Sequence, residues 1–283
     1  MPDTAALASP TPLDLPIAFI GGGNMASAII GGLVGQGMDA TRIDVVEPFE
    51  EARARLAQQF GISAQAEAGP ALGRAALVVW AVKPQTFRDA AAPVAPLVPD
   101  ALHLSVAAGI RSDSIAGWLG SERIVRAMPN TPALVGQGMT GLFARAAATA
   151  EDRTLVEQVL APTGATLWLD AEAQLDAVTA LSGSGPAYVF YFIEAMVEAG
   201  IAMGLGAERA HRLAVATFGG AATLAARSDE APAVLRQRVT SKGGTTYAAL
   251  TSMEADEVKE RFVRAMEAAR VRAGELGDEF GRG

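Results

Sequence analysis

The stretch IAFIGGGNMASAIIGGL, residues 17–33, has the order of a strand, a glycine turn and a helix. Four apolar residues, 17–20, lead directly into three glycines, and a helix-prone segment follows them. The glycines fit the pattern G-x-G-x-x-G/A, with Gly21 and Gly23 in the first two places and Ala26 in the third. Because a strand precedes the pattern and a helix follows it, the stretch favours a dinucleotide site over an ordinary tight turn.

The residue types in this pattern match what a dinucleotide requires. Gly21 allows the tight turn, Gly23 lets the backbone approach a pyrophosphate, and a small third residue lets the helix pack on the strand. The N–H groups at the start of the helix then point to the phosphates, and the helix dipole adds to the attraction.

The composition of the chain limits the remaining possibilities. Its 283 residues suffice for two modest domains or one large one. Half of the residues are hydrophobic but only 6% are aromatic, so the core relies on small residues. The net charge of −8 argues against nucleic acid or an anionic membrane as a partner. No apolar run reaches the roughly 20 residues of a membrane span.

Cysteine and histidine usage argues against several kinds of site. The chain has no cysteine, which excludes disulfides and thiolate chemistry and fits a cytoplasmic location. Its two histidines, His103 and His211, are far apart in the sequence, so we expect no metal site. Residues 1–16 lack the basic start and apolar middle of a signal peptide, and we interpret them as a flexible extension.

Glu47 follows a short β-type run at 43–46, about 20 residues beyond the glycine pattern, where an acidic residue commonly binds the adenine ribose. A carboxylate there favours NADH over NADPH, because it repels a 2′-phosphate. The alternative is a solvated strand end. Arg53 and Arg55 follow within reach of a phosphate, so the choice between NADPH and NADH stays open.

Two further strand ends carry polar residues. The continuous apolar run 75–82 is typical of a strand buried on both faces, and it ends in Lys83-Pro84-Gln85. The run 124–128 ends in a loop where two prolines bracket Asn130 and Thr131. Ligands bind at such carboxyl ends in open α/β sheets. The alternatives are a surface charge for Lys83 and a turn-forming residue for Asn130.

Strand and helix patterns alternate as far as residue 170. Strands are also expected at 102–106, 139–143 and 166–169, and helices at 25–37, 50–60 and 152–160. A further short helix is expected to end at Leu119, with Ser112 or Asp113 as its cap. This alternation predicts an α/β Rossmann-type fold, a doubly wound parallel sheet, at residues 17–170.

Residues 171–283 show helical patterns only and predict an all-α C-terminal domain. The helix expected at 186–203 starts near Ser184, a possible cap, and is apolar nearly all round except at Glu194 and Glu198. Such a helix must be buried, so we expect a second subunit to cover it. Gly219 and Gly220 lie inside the next expected helix, 208–226, and predict the close approach of a neighbour.

The last part of the chain contains a polar loop and an amphipathic helix. The segment 239–247 places two glycines between hydroxyl residues, which fits either an anion-binding loop or an ordinary helix-to-helix turn. The helix expected at 254–274 carries the pairs Glu257/Arg261 and Glu260/Arg264 on a solvated face, with no function assigned.

Five stretches together resemble pyrroline-5-carboxylate reductase, in order and across nearly the whole chain after residue 16. They are FIGGGNMA at 19–26, AVKPQ at 81–85, RAMPNTPA at 126–133, LSGSGPAY at 181–188 and VTSKGGTT at 239–246. The resemblance implies reduction of a cyclic imine acid, 1-pyrroline-5-carboxylate, to proline with NADPH or NADH. It also implies a helical domain that forms a homodimer, in some members a homodecamer, with the active site where the cofactor domain meets the helices of the dimer.

The resemblance also assigns roles to residues of this chain. The pyrophosphate would contact Gly21, Gly23, Asn24 and Met25, whereas many members prefer NADPH, which the carboxylate of Glu47 does not favour. The nicotinamide side would be lined by Lys83, Pro84 and Asn130, with Ala81 as a further cofactor contact. The substrate carboxylate would be held by Ser241, Gly243, Gly244, Thr245 and Thr246, and Thr179 would be the catalytic residue near the imine nitrogen.

One position departs from the family pattern, because Lys242 stands where the family usually has proline. Two other classes remain as alternatives. A 3-hydroxyacid dehydrogenase of the 6-phosphogluconate dehydrogenase type relies on a lysine of an interdomain helix, but no lysine occurs between Lys83 and Lys242. A non-catalytic dinucleotide-binding protein would bind NAD(P) without turnover.

Overall fold

The computed structural model describes residues 13–281, which form two compact units. The first unit, the sheet unit, comprises residues 13–183 together with 270–281, and the second, the helical unit, comprises residues 184–269. The predicted extension lies mostly outside the described residues, but Leu13 and Leu15 pack against the core of the sheet unit.

The two units divide at Gly183, whereas the sequence suggests a boundary near Asp170. Glu172 explains why the intervening segment stays with the sheet. Its carboxylate accepts hydrogen bonds from the Ser112 backbone N–H at 2.6 Å and from the Arg126 guanidinium at 2.6 Å. Farther along, Val178 lies against Gly141 of the sheet.

The sheet unit contains seven strands in the order β2-β1-β3-β4-β5-β6-β7. They are β1 Ile17–Ile20, β2 Ile43–Val46, β3 Leu77–Trp80, β4 Leu102–Ser105, β5 Ile124–Met128, β6 Gly138–Ala144 and β7 Gly164–Trp168. Every neighbouring pair is parallel except β5 and β6. The connection between those two is a single 3₁₀ turn, Thr131–Val135, which is too short for the crossover that a parallel pair needs.

Helices cover both faces of this sheet. They are α1 Asn24–Gly35, α2 Glu50–Phe60, α3 Phe87–Val94, α4 Ser112–Leu119, α5 Ala150–Leu160 and α6 Gln174–Val178. Alternate residues of β1 serve opposite faces, since Phe19 packs with residues of α1, α2 and α5, whereas Ile20 packs with residues of α3 and α4. The doubly wound α/β prediction is therefore confirmed, with one antiparallel pair.

The helical unit is built from α7 Gly185–Ala202, α8 Ala207–Ala226, α9 Pro232–Arg238, α10 Thr245–Ala255 and the first part of α11 Val258–Gly281. The prediction of one helix from 254 to 274 is wrong at its start. Glu257 has a φ of 53° and separates α10 from α11. The Ser184 cap is also wrong, because no side-chain hydrogen bond caps α7.

The helical unit buries little of its apolar surface within one chain. In α7 and α8 the buried positions are three small residues, Gly200, Ala210 and Ala214. In contrast, Phe190 is 59% exposed and Tyr191 is 68% exposed on α7. The chain itself does not supply the expected close neighbour of Gly219 and Gly220, because a β-carbon at either would meet nothing within 4 Å.

Among the helices of residues 13–281, none is both long enough and apolar enough to cross a membrane.

Candidate active site

The glycine turn lies at the switch point of the sheet. The strands next to β1 are β2 on one side and β3 on the other, so the order of the strands reverses at β1. Ligands bind at the carboxyl ends of the strands at such a reversal. The Gly21 N–H donates to the Val46 carbonyl at 2.8 Å, and the Ala81 N–H donates to the Ile20 carbonyl at 2.8 Å. The ends of all three strands therefore meet at this turn.

Each glycine of the turn has a different environment. Gly21 has a φ of 97°, and a β-carbon there would lie 2.6 Å from the Ala81 carbonyl oxygen. At Gly22 a β-carbon would lie 2.7 Å from Cδ1 of Leu56. A β-carbon on Gly23 would meet nothing within 4 Å, so one side of the turn is open.

The open side of the turn fits a pyrophosphate. Gly23 is the N-cap of α1 and no side chain caps this helix. The N–H groups of its first turn, which includes Asn24 and Met25, have no partner inside the helix. Asn24 is exposed and Met25 is partly buried against the core. Backbone donors next to an uncrowded glycine are the arrangement that a dinucleotide phosphate needs.

Glu47 is buried at the end of β2, and its carboxylate is fixed by two backbone groups. Oε2 accepts a hydrogen bond from the Gly22 N–H at 2.7 Å, and Oε1 accepts one from the Phe49 N–H at 2.9 Å. The alternative of a solvated strand end is therefore wrong. The local pattern predicts Glu47 but not its bond to Gly22, because that bond depends on the register between β1 and β2.

Of the two arginines that follow Glu47, Arg53 is hydrogen-bonded to the backbone and Arg55 is exposed. Nη1 of Arg53 donates to the carbonyl oxygens of Glu47 at 2.9 Å and of Pro48 at 2.7 Å. Arg55 is exposed on α2. The Arg53 guanidinium is thus held by the backbone of the turn.

The end of β3 places Ala81, Lys83 and Pro84 at the same edge as the glycine turn. Lys83 is exposed and precedes a 3₁₀ turn, Pro84–Thr86, in which the Thr86 N–H donates to the Lys83 carbonyl at 3.0 Å. The proline starts this turn because its fixed φ suits a first helical position.

Asn130 uses its side chain inside the sheet unit. Its amide nitrogen donates to the Ser182 carbonyl at 3.2 Å and hydroxyl at 3.1 Å, and its amide oxygen accepts from the Met139 N–H at 3.0 Å. The amide therefore connects the loop after β5 to the segment before α7. Ser182 was not singled out from the sequence, although it lies within the LSGSGPAY stretch.

Thr179 begins a π-helical segment, Thr179–Gly183, between α6 and α7. Its hydroxyl donates to the Leu175 carbonyl at 2.8 Å. Single-turn π segments of this kind occur frequently at functional sites.

The predicted anion loop forms a tight turn at the start of α10, in the helical unit. The Gly244 N–H donates to the Ser241 carbonyl at 3.0 Å. Gly243 has a φ of 76°, and a β-carbon on Gly244 would lie 2.7 Å from the Ser241 hydroxyl oxygen. Gly244 is the N-cap of α10, whose first residues, Thr245 and Thr246, are exposed.

The two histidines lie apart from the residues described above. His103 is buried on β4, where its Nδ1 accepts a hydrogen bond from Trp80 at 3.2 Å. Burial, and then the positive charge of Arg123, lowers the pKa of His103 to about 4. His211 is exposed on α8. Within residues 13–281 no group of three or more His, Asp or Glu side chains is placed to hold a metal ion.

A glycine turn at the switch point of a doubly wound sheet, followed by a helical unit, defines the class of two-domain NAD(P)-dependent oxidoreductases. Residues 172–276 match the family model for pyrroline-5-carboxylate reductase dimerisation, and residues 16–109 match that for NADP oxidoreductase, coenzyme F420-dependent.

Individual relatives cover nearly the whole chain. Pyrroline-5-carboxylate reductase from Pseudomonas aeruginosa is 46% identical, covering 94% of this chain and 98% of the relative. The enzyme of the same name from Pisum sativum is 37% identical, covering 92% and 95%. The chain belongs to the pyrroline-5-carboxylate reductase family, which confirms the resemblance seen in its motifs.

Solved structures of the family have the same fold. A pyrroline-5-carboxylate reductase from Coxiella burnetii is similar with a TM-score of 0.86 and 38% identity, covering 93% of this chain and 98% of that one. The Plasmodium falciparum pyrroline carboxylate reductase, solved with NADP bound, has a TM-score of 0.84 and 27% identity, with the same coverage.

Proposed function

We propose that the protein reduces 1-pyrroline-5-carboxylate to L-proline with hydride from NADPH or NADH, the last step of proline biosynthesis. One observation carries the proposal: in a chain of this family, the glycine turn is uncrowded at Gly23, where the uncapped N-terminus of α1 begins.

The sheet unit is proposed to hold the cofactor, which supplies the hydride when bound. Backbone groups of Gly21, Gly23, Asn24 and Met25 would contact the pyrophosphate, and Glu47 the adenine ribose. The nicotinamide side is assigned to the ends of the third and fifth strands, with Ala81, Lys83, Pro84 and Asn130. The Asn130 amide acts there by fixing its loop, because its donors and acceptor already have protein partners.

The loop before α10 is proposed to bind the substrate carboxylate. A helix N-terminus attracts an anion through its unpaired N–H groups and its dipole. The proposed contacts are Ser241, Gly243, Gly244, Thr245 and Thr246. Lys242 adds a positive charge to the same loop.

The proposed chemistry needs positioning more than a strong acid. A protonated imine is already electrophilic, so holding its ring carbon at the hydride donor provides most of the rate enhancement. Thr179 is proposed to lie near the imine nitrogen, where its hydroxyl or a water molecule would be the proton donor. A catalytic His or Cys is not required.

The family's dimerisation domain supports self-association, and we propose a homodimer in which the exposed apolar faces of α7 and α8 are covered. Further assembly to a homodecamer is a second, separate proposal. We also propose a cytoplasmic enzyme that uses neither nucleic acid nor a membrane as partner, supported by its net negative charge and lack of cysteine.

One assay tests the proposed reaction. The oxidation of NADH and of NADPH is followed with pyrroline-5-carboxylate as substrate, and proline is measured as the product. We expect turnover with at least one cofactor. Cofactor binding without turnover would point to a dinucleotide-binding protein, and oxidation of 3-hydroxyacids instead would point to the hydroxyacid dehydrogenase class.

A further inference from the structure

We infer that Glu47 makes this protein select NADH over NADPH, by accepting the two hydroxyl groups of the adenine ribose on a carboxylate that the backbone already holds in place. The inference rests on the proposed function, because it requires NAD(P)H at the glycine turn.

The Glu47 carboxylate is held firmly by the backbone. Its two oxygens accept hydrogen bonds from the Gly22 N–H at 2.7 Å and the Phe49 N–H at 2.9 Å. The residue is only 6% exposed, and its Cγ would lie 3.3 Å from a β-carbon on Gly22. A buried side chain bonded at both oxygens has little freedom to move away from the turn when a ligand binds.

The Glu47 carboxylate can still accept further hydrogen bonds. An ionised carboxylate has about four lone-pair sites, two on each oxygen. One backbone N–H occupies a site on each oxygen, so one site on each remains. Such a pair of acceptor sites can bind two adjacent hydroxyl donors. The 2′- and 3′-hydroxyls of an unmodified ribose are such donors.

The 2′-phosphate of NADPH is repelled by the Glu47 carboxylate. A phosphate dianion has no proton to donate to Glu47, and it carries the same sign of charge. Glu50 and Glu51 at the start of α2 are exposed, so water and salt screen their charges, and the buried Glu47 is the carboxylate that discriminates. Like charges that are partly shielded from water repel each other more strongly than they would in bulk solvent.

Arginines near β2 could offset this repulsion only if their guanidinium groups were free to meet the phosphate. Nη1 of Arg53 is bonded to the Glu47 and Pro48 carbonyls. Arg42 is paired with Asp14 at 2.9 Å, and Arg74 is paired with Asp44 at 2.8 Å. Arg55 lies two residues beyond Arg53 on α2, and residues at that spacing do not share a helix face. Arg42 and Arg74 are therefore paired with carboxylates, Nη1 of Arg53 is occupied by backbone carbonyls, and Arg55 lies on a different face of α2 from Arg53.

Equilibrium binding tests the inference without substrate. The dissociation constants of NADH and NADPH are measured by the quenching of protein fluorescence. For the wild-type protein we expect NADH to bind at least roughly tenfold more tightly, the size of effect that one well-placed polar discrimination produces. Equal or tighter binding of NADPH overturns the inference, and this result needs no variant.

A pair of variants assigns the preference to Glu47. Glu47→Gln removes the charge, and one of its two side-chain heteroatoms becomes a donor, so the ratio of the two constants should fall to within about threefold. Glu50→Gln removes a neighbouring charge that has no bond to the glycine turn, and the wild-type ratio should be kept. An unchanged ratio in Glu47→Gln contradicts the assignment.

The failure of this inference and that of the proposed function give different results. A protein that turns over pyrroline-5-carboxylate but binds NADPH more tightly keeps the function and loses the inference. A protein that prefers NADH by binding but turns over no imine keeps the inference about the ribose and loses the function. Circular dichroism spectra of both variants check that the fold is intact.

Discussion

Gly21, Gly22 and Gly23 are adjacent in the chain, but a β-carbon on each would meet a different environment. The positive φ of Gly21 and its approach to the Ala81 carbonyl make any side chain there both strained and crowded. Gly22 lies against Leu56 and Glu47. Only Gly23 faces open space, so the packing of the fold does not require glycine there, and we propose that this position serves the ligand.

Two alanine variants separate these roles. Gly21→Ala should lower the free energy of unfolding by about 1–3 kcal/mol, because it forces a strained backbone against a carbonyl. Gly23→Ala should leave the melting temperature unchanged within about 1 °C but weaken NADH binding, because its methyl group enters the phosphate side of the turn. Unfolding in urea and fluorescence titration measure the two effects. Tight NADH binding by Gly23→Ala would contradict the proposed pyrophosphate position.

A second residue-scale effect concerns His103, which is neutral and buried beside Trp80. Its pKa is lowered to about 4 from an ordinary 6.5, by burial first and by Arg123 second. The unfolded chain therefore takes up a proton as the pH falls below 6.5, while the folded chain does not. The contribution of His103 to stability is complete above pH 6.5 and is lost as the pH falls towards 4.

This titration predicts a pH-dependent stability. The free energy of unfolding should fall between pH 6.5 and pH 4.5 by an amount on the order of 2–3 kcal/mol. The pKa values of Asp152 and Glu172 are lowered from 3.8 and 4.5, so these carboxylates act mainly below that window. In His103→Gln, which keeps a side-chain acceptor, we expect a nearly flat profile in urea unfolding at fixed protein concentration. A wild-type-like slope in this variant would contradict the role of His103.

At the scale of elements, the turn before α10 explains why the family usually has proline where this chain has Lys242. Ser241 and Gly244 are joined by a carbonyl-to-N–H bond, and Gly243 has a φ of 76° at the third position. This is the signature of a type II turn, which favours proline at the second position and glycine at the third. Lys242 occupies the second position and adds a charge.

Two substitutions at Lys242 separate conformation from charge. Lys242→Pro should stabilise the protein by about 0.4–1 kcal/mol, because it restricts the unfolded chain and suits the turn. Lys242→Gln should raise KM for pyrroline-5-carboxylate by about two- to fivefold, with little change in kcat, as expected for the loss of an exposed charge pair. Thermal unfolding and steady-state kinetics measure these changes, and we expect Lys242→Pro also to change KM more than kcat. An unchanged KM in both variants would exclude Lys242 from substrate binding.

The elements that the sequence predicted well end at residues with clear local signals. The bounds of α2 and the end of α4 were predicted correctly, because Gly61 and Gly120 end these helices in the left-handed region. The expected cap of α4 at Ser112 or Asp113 is wrong, because α4 begins at Ser112 and no side chain caps it. The separation of α10 from α11 was missed, because it depends on a single left-handed Glu257 inside a helical pattern. The antiparallel direction of β6 was also missed, since periodicity carries no information on strand direction.

The candidate site was predictable in part for the same reason. Gly21, Gly23 and Glu47 follow from local pattern and spacing. The bonds from Glu47 to Gly22 and from Asn130 to Ser182 join segments that are 25 and 52 residues apart in the chain, so only the fold reveals them.

At the scale of the whole molecule, the two units differ in how complete they are as single chains. The sheet unit has a core on both faces of its sheet. The helical unit leaves large side chains of α7 exposed, which a monomer in water does not tolerate over a large patch. Self-association, which the family's dimerisation domain supports, removes this surface from water.

One substitution on α7 tests which surface is used. Phe190→Asp should raise the dimer dissociation constant by at least about tenfold, because it puts a charge into a dehydrated interface. Leu167→Asp replaces an exposed apolar residue on β7 of the sheet unit and should leave the dimer intact. Size-exclusion chromatography with light scattering, over a range of concentrations, gives the mass. An unaltered dimer in Phe190→Asp would place the interface elsewhere.

The return of α11 to the sheet unit has a consequence for synthesis on the ribosome. Asp278 pairs with Arg111 at 2.7 Å, and Phe280 lies against Gly109 and joins the core below α3 and α4. These residues are translated after the whole helical unit. A nascent cofactor-binding unit therefore keeps the patch around Gly109 and Arg111 uncovered while about a hundred further residues are added, and it closes only after translation has passed the helices that pair the subunits.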